Sequence, residues 1–188
     1  MRQKDEAKAQ EILRATLDEV QAVGLAGLSV EAVARRAGVA TGTVYTYFKS
    51  KGALLEALYL QTKQGFAALV APQDGAPLKA AFLSTAAAYL DYVMDHAAEI
   101  VFMSQMANSP FLSAETRAAG EAGARPVFAL IERGKAEQLL KDLDTAWMMA
   151  FLTEALKGLA PHGAALGPER RAAFRQAAVQ LCWDAMKA

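Results

Sequence analysis

The stretch "LSVEAVARRAGVATGTVYTYF", residues 28–48, holds two helix-sized pieces on either side of Gly38. Neither piece is long enough to persist alone in water, because an isolated helix below about 12 residues does not recover its nucleation cost. Ser29 stands where an N-cap belongs, Glu31 suits the first helical turn, and Gly38 ends the first piece. "GVA" makes a tight turn, and "TGTVYTYF" supplies about two more turns of helix. Ala34, Ala37 and Val39 are small enough for the two helices to cross closely, and Val44 and Phe48, four apart, share a core-facing side. Two short helices joined by a glycine turn have the shape of a helix-turn-helix.

The flanking sequence is helical throughout. Apolar residues at 9, 12, 13, 16 or 17, and 20 predict a first helix from Lys4 to Val23, stopped by Gly24. Ser50 caps a helix that runs to about Val70, and "APQDGAP" is the clearest linker. Residues 78, 82, 85, 89, 92 and 93 mark a long amphipathic helix, and "AAEIVFMSQMAN" a shorter one closed by Ser109-Pro110. A helix over 113–134 would carry Pro126 inside it and kink there. Two more are expected at 142–159 and 168–187, separated by "APHGAALGP". There is no alternating strand pattern. The expected fold is all-α: a helix-turn-helix domain over 1–50, a connecting helix over 51–70, and a larger helical bundle over 71–188. At 54% hydrophobic, with much of the excess in alanine, the chain can bury a core. No run is long enough to span a membrane, and the charged start "MRQKDEAKAQEIL" lacks the apolar core of a signal peptide, so a cytoplasmic protein is expected.

Why residues 41–51 gather aromatics, hydroxyls and cations follows from the helix-turn-helix. Its second helix enters the major groove while the first braces it. With Val44 and Phe48 facing inward, Thr41, Thr43, Tyr45, Thr46 and Tyr47 are left on the outer faces. Hydroxyls reach phosphate oxygens and base edges, and a threonine methyl can touch a thymine methyl. Core packing is the competing reading for the two tyrosines. From Ala32 to Leu55 there are four cations (Arg35, Arg36, Lys49, Lys51) and no anion, although the 20 basic and 20 acidic side chains of the whole chain cancel. Lys51 opens the fourth helix, where backbone N–H groups also favour a phosphate. Lys49 fits either a phosphate contact or a solvated face. Arg2 and Lys4 fit either a minor-groove arm or a loose terminus.

"LSVEAVARRAGVATGTVYTYFKSKGALLEAL" resembles the DNA-binding segment of the tetracycline-repressor (TetR) family of bacterial transcriptional regulators, through Ala34, Ala37-Gly38-Val39, Gly42-Thr43, Tyr45, Tyr47-Phe48, Ser50-Lys51 and Leu54. The resemblance covers roughly residues 8–60. It implies a homodimer that binds a palindromic operator in double-stranded DNA and whose C-terminal domain binds a small molecule and releases the DNA. It also implies phosphate contacts for Tyr45, Tyr47 and Lys51, and places Thr41, Thr43 and Thr46 near bases. Two positions depart from the pattern. Ala40 stands where the family often has a serine N-cap, forgoing about 1 kcal/mol, so Thr41 becomes an alternative cap one residue later. Thr41 itself replaces a residue that is often basic.

The C-terminal portion offers an apolar set, Tyr89, Tyr92, Phe102, Met103, Met106, Phe111, Phe128, Trp147 and Phe151, divided between core and an expected pocket for an apolar or amphipathic effector, whose expected lining is all of these but Phe111. "AWMMAFL" is apolar all round its helix and should be covered on more than one side. Phe174, Ala178, Leu181 and Ala185 form one stripe of the last helix and are the expected dimer interface. No cofactor is expected. His96 and Glu99 could share a metal face, but His162 is the one other histidine, so no metal site is expected. Cys182 reads as a small core or interface residue. No phosphate loop, nucleophile elbow or convergent polar cluster supports an enzyme. The alternative to a ligand-released regulator is a DNA-binding adaptor whose larger domain takes a protein partner.

Overall fold

The computed structural model describes residues 2–188, with side chains from residue 5 onward, so the Arg2 and Lys4 arm lies outside the described side chains. The described residues form ten helices: α1 (Arg2–Gly27), α2 (Val30–Arg36), α3 (Thr41–Tyr47), α4 (Lys51–Val70), α5 (Leu78–Asp95), α6 (Ala97–Ala107), α7 (Ala114–Ala122), α8 (Arg125–Ala136), α9 (Thr145–Ala164) and α10 (Pro168–Met186). The one extended pairing among them is an isolated bridge between Leu140 and Lys187. The all-α fold expected from the sequence is what the chain adopts.

Helix ends follow local chemistry. Gly24 takes φ 72°, breaking α1 where the sequence suggested, and a last turn follows to Gly27. The Ser29 hydroxyl accepts from the N–H of Ala32 at 3.1 Å. Gly38 sits at φ 67°, and the N–H groups of Gly38 and Val39 return to the carbonyls of Arg35 and Ala34. That pair of bonds satisfies the last carbonyls of α2 and turns the chain. The helix α3 starts at Thr41 with Ala40 as the flanking, extended residue and no side-chain cap. Thr41 is therefore the first helical residue, and the expectation that it serves as the cap is corrected.

Two prolines also act differently from expectation. Residues 113–134 are not one kinked helix. The chain breaks between Ala122 and Arg125, and Pro126 lies in the first turn of α8, where its missing N–H costs nothing. Pro161 does not end α9, which continues through it to Ala164.

The chain divides into two compact units, one of residues 1–64 with 98–121, the other of 65–97 with 122–188. In the first, α1 packs on α2 and α2 on α3. Its core is built on Ile12, Val33, Val44, Leu54 and Leu55, joined by Phe102 and Met106 from α6. In the second, α5, α9 and α10 pack on one another, and α5 and α9 also meet α8. Phe82 and Trp183 meet edge to face at 5.2 Å within this second core, and Arg171 and Arg175 of α10 pair with Asp95 and Asp91 of α5 at 2.6 Å each. No helix among the described residues is long and apolar enough to cross a membrane.

Candidate nucleic-acid interface

The first unit holds the residues singled out for DNA. Val44 is 1% exposed, and Phe48 packs partly against the same core, so the inward side of α3 is as expected. Tyr45 projects from the opposite side at 46% exposure, with Thr46 and Lys49 also exposed and Thr41 and Thr43 half-buried. The Thr46 hydroxyl donates back to the carbonyl of Gly42 at 3.0 Å, and its oxygen keeps its capacity to accept. Tyr47 is divided between the two readings. Its ring packs partly against the core, 6.4 Å from Phe48, while its hydroxyl donates to the Asp5 carboxylate at 3.3 Å. Burial, then the nearby Asp5 charge, push the Tyr47 phenol above its usual range, so it stays a neutral donor.

The cation cluster is smaller than the sequence suggests. The Arg36 guanidinium places Nε and Nη2 at 3.0 and 2.8 Å from one oxygen of Glu19, a buried carboxylate on α1. Arg36 is thus a strut between α1 and α2, and its charge is compensated. Arg35 and Lys49 are exposed. Lys51 is half-buried: its ammonium donates to the Leu28 carbonyl at 2.7 Å and lies 5.3 Å from the centre of the Phe111 ring. Phe111 belongs to the turn between α6 and α7, and spacing along the chain gave no sign that it would reach the start of α4.

The eight residues suggested for an effector pocket separate. Phe102 and Met106 are 1% and 0% exposed within the first unit's core, with Met103 packed partly against it. The second unit holds Tyr89 and Tyr92, whose rings lie 5.7 and 4.9 Å from Phe66. Burial, with the Glu154 charge behind it, pushes the Tyr89 phenol well above its usual range. Phe128, Trp147 and Phe151 stand on the surface of the chain at 39%, 74% and 48% exposure. Residue type marked all eight as apolar but could not say which core, if any, each would join.

The suggested dimer stripe also divides. Ala178 is 5% exposed, and a Cβ placed on Gly163 would fall 2.5 Å from the Phe174 ring, so both belong to the packing of the second unit. Leu181 is 64% exposed, and Ala185 is exposed beside it. Ala185 also borders an open cleft of about 330 Å³ with Leu143, Trp147, Phe151 and Met186. Cys182 is buried, as its core reading requires. Among the described residues there is no group of three His, Cys, Asp or Glu that could hold a metal.

Residues 12–58 match the family described as bacterial regulatory proteins, tetR family. Residues 77–187 match a tetracyclin repressor-like C-terminal domain. The fold is that of a TetR family transcription regulator from Marinobacter aquaeolei VT8, at 22% identity and a TM-score of 0.88 over 100% of this chain and 99% of that one. A TetR-family transcriptional regulator from Haemophilus influenzae Rd aligns at 21% identity and a TM-score of 0.79, over 99% and 100% of the two chains. The HTH-type transcriptional regulator BetI of Klebsiella pneumoniae is 44% identical over 50 residues, 27% of this chain and 26% of that protein. The match to such curated relatives thus spans about a quarter of their length.

Proposed function

The chain belongs to the TetR family of bacterial regulatory proteins, and on that premise we propose that it is a ligand-released repressor that binds a palindromic operator as a homodimer in the cytoplasm. The family is one of DNA-binding transcription regulators, not of enzymes. The observation that carries the reading is the two-sided α3: Val44 is buried while Tyr45 and Thr46 are exposed, with Lys49 exposed just beyond the helix. In this reading residues 1–50 read the DNA, 51–70 connect, and 71–188 sense the effector and dimerise. Thr41, Thr43 and Thr46 lie at base edges, and Tyr45, Tyr47, Lys49 and Lys51 at phosphates. Tyr47 must exchange Asp5 for a phosphate oxygen to do so.

Dimerisation is supported by the exposed apolar face of α9, Trp147 and Phe151, together with Leu181 of α10. Apolar side chains of that size, gathered on two adjacent helices, fit a face covered by a second copy. Trp147 and Phe151 therefore move from the effector pocket to the interface. The effector pocket retains Tyr89 and Tyr92, with Phe66 beside them. An aromatic or otherwise apolar compound suits that lining better than a sugar or nucleotide.

The test is selection from random-sequence duplex DNA. The reading predicts an enriched inverted repeat with half-sites about one helical turn, roughly 34 Å, or a multiple of it apart. Recovery of no enriched motif would refute it.

A further inference from the structure

The segment 109–121 runs along one face of α4. The Phe111 ring lies over the start of the helix, 3.8 Å from where a Cβ on Gly52 would stand. One turn on, the Ser113 N–H donates to the Glu56 carboxylate at 2.8 Å. Farther along, a Cβ on Gly120 would fall 2.8 Å from the Tyr59 ring. Positions 52, 56 and 59 follow the 4-3 spacing of one helical stripe, so α7 and the turn before it follow α4 through about two of its turns. At the head of that stripe is Lys51, its ammonium between the Phe111 ring and the Leu28 carbonyl.

We propose that Phe111 is a positioning residue for DNA binding: its ring, with the Leu28 carbonyl, fixes the Lys51 ammonium where it meets a DNA phosphate. The proposal rests on the reading that Lys51 touches phosphate. The chemistry is specific. A lysine head is a compact charge on a flexible four-carbon stem. A ring face and a carbonyl oxygen both attract that charge without cancelling it, unlike the carboxylate that compensates Arg36. Only one ammonium N–H is spent on Leu28, and two remain for a phosphate. Holding the stem in place lowers the rotamer entropy lost when DNA binds. The segment 98–121 is joined at each end to the second unit. Withdrawal of Phe111 would therefore loosen Lys51 without any change in the residues of α3.

The experiment is a double-mutant cycle on fluorescence anisotropy, using a labelled duplex that carries the repeat recovered by selection, over a range of salt. Phe111→Leu keeps an apolar side chain and loses the ring, and should weaken binding about two- to fivefold, the range of an exposed cation–ring contact. Phe111→Tyr keeps the ring and should bind as the native chain does. In a Lys51→Met background, Phe111→Leu should have no further effect. If Phe111→Leu does not fold, as judged by thermal melting, Phe111→Met takes its place. Equal losses from Phe111→Leu in both Lys51 backgrounds, or tighter binding by Phe111→Leu, would overturn the proposal. A different result would locate the failure in the underlying reading: Lys51→Met alone leaving both affinity and salt slope unchanged would mean that Lys51 meets no phosphate.

Discussion

Replacing Trp147 with alanine should dissociate the dimer while leaving the fold of each chain intact. Trp147 is 74% exposed on α9. Its contribution to the helix end is the backbone N–H given to the Asp144 carboxylate at 3.1 Å, which alanine retains. An aromatic side chain of this size buries about 200 Å² when fully covered. The exposed share is then about 150 Å², worth up to about 4 kcal/mol at ~25 cal/mol per Å². Truncation of a tryptophan that acts as an interface hot spot realises about 2 kcal/mol or more. A two-fold interface carries the change twice, so the dimer dissociation constant should rise about a thousandfold. Sedimentation equilibrium over a concentration series measures this directly, with circular dichroism to show that helix content is kept. Dissociation of the variant over the same concentration range as the native protein would refute the placement of Trp147 at the interface. Leu181→Asp, at a position 64% exposed, is the matching probe on α10. Aspartate at Phe174 or Ala178 would not serve, because Ala178 is buried in the core of the second unit and the half-buried Phe174 ring packs against Gly163, so the chain would lose its packing before its partner.

Two further predictions concern the first unit. Gly38→Ala meets no atom within 4 Å of the added Cβ, so its cost is the left-handed backbone alone, about 1–2 kcal/mol; chemical denaturation should show that loss, and an unchanged midpoint would contradict the turn geometry. The Ser113 hydroxyl and N–H hold the Glu56 carboxyl below its usual range. Its folded pKa is depressed, so the attachment of Ser113 to α4 is fully present above the ordinary glutamate value near 4.3 and is lost as pH falls through the lower folded value. Melting temperatures between pH 6 and about pH 3 should fall less for Glu56→Gln than for the native chain, and parallel curves would count against the contact.

Short-range chemistry was the legible part of the structure. Ser29, Gly24 and Gly38 each act through a few neighbouring residues, and a cap or a positive φ leaves its mark in residue type. The inward pair Val44 and Phe48 follows from helical spacing, which in turn leaves Tyr45 and Thr46 outside. What spacing could not supply was the partner of each apolar face. Phe102 and Met106 are periodic on α6, but only the tertiary fold shows that they complete the core beneath α1–α4. Trp147 and Phe151 lie in a stretch apolar all round its helix, a pattern that does not say which face meets the chain's own core. Arg36 looked like part of a basic patch because Glu19, 17 residues earlier, could not be matched to it by sequence. Phe111 reads in sequence only as an apolar core or pocket residue, since its contact with Lys51 spans 60 positions of chain.

The central claim is that the outward side of α3 reads bases. The most direct measurement repeats the duplex selection with Thr43→Ala and with Thr46→Ala, beside the native protein. The reading predicts that at least one threonine variant relaxes the preference at particular base pairs, symmetrically in both half-sites, by the roughly 1–3 kcal/mol of a lost base contact. Lys49→Ala, run in parallel, should weaken binding uniformly and leave the motif unchanged. The same motif, at the same strength, from the native protein and both threonine variants would contradict the claim.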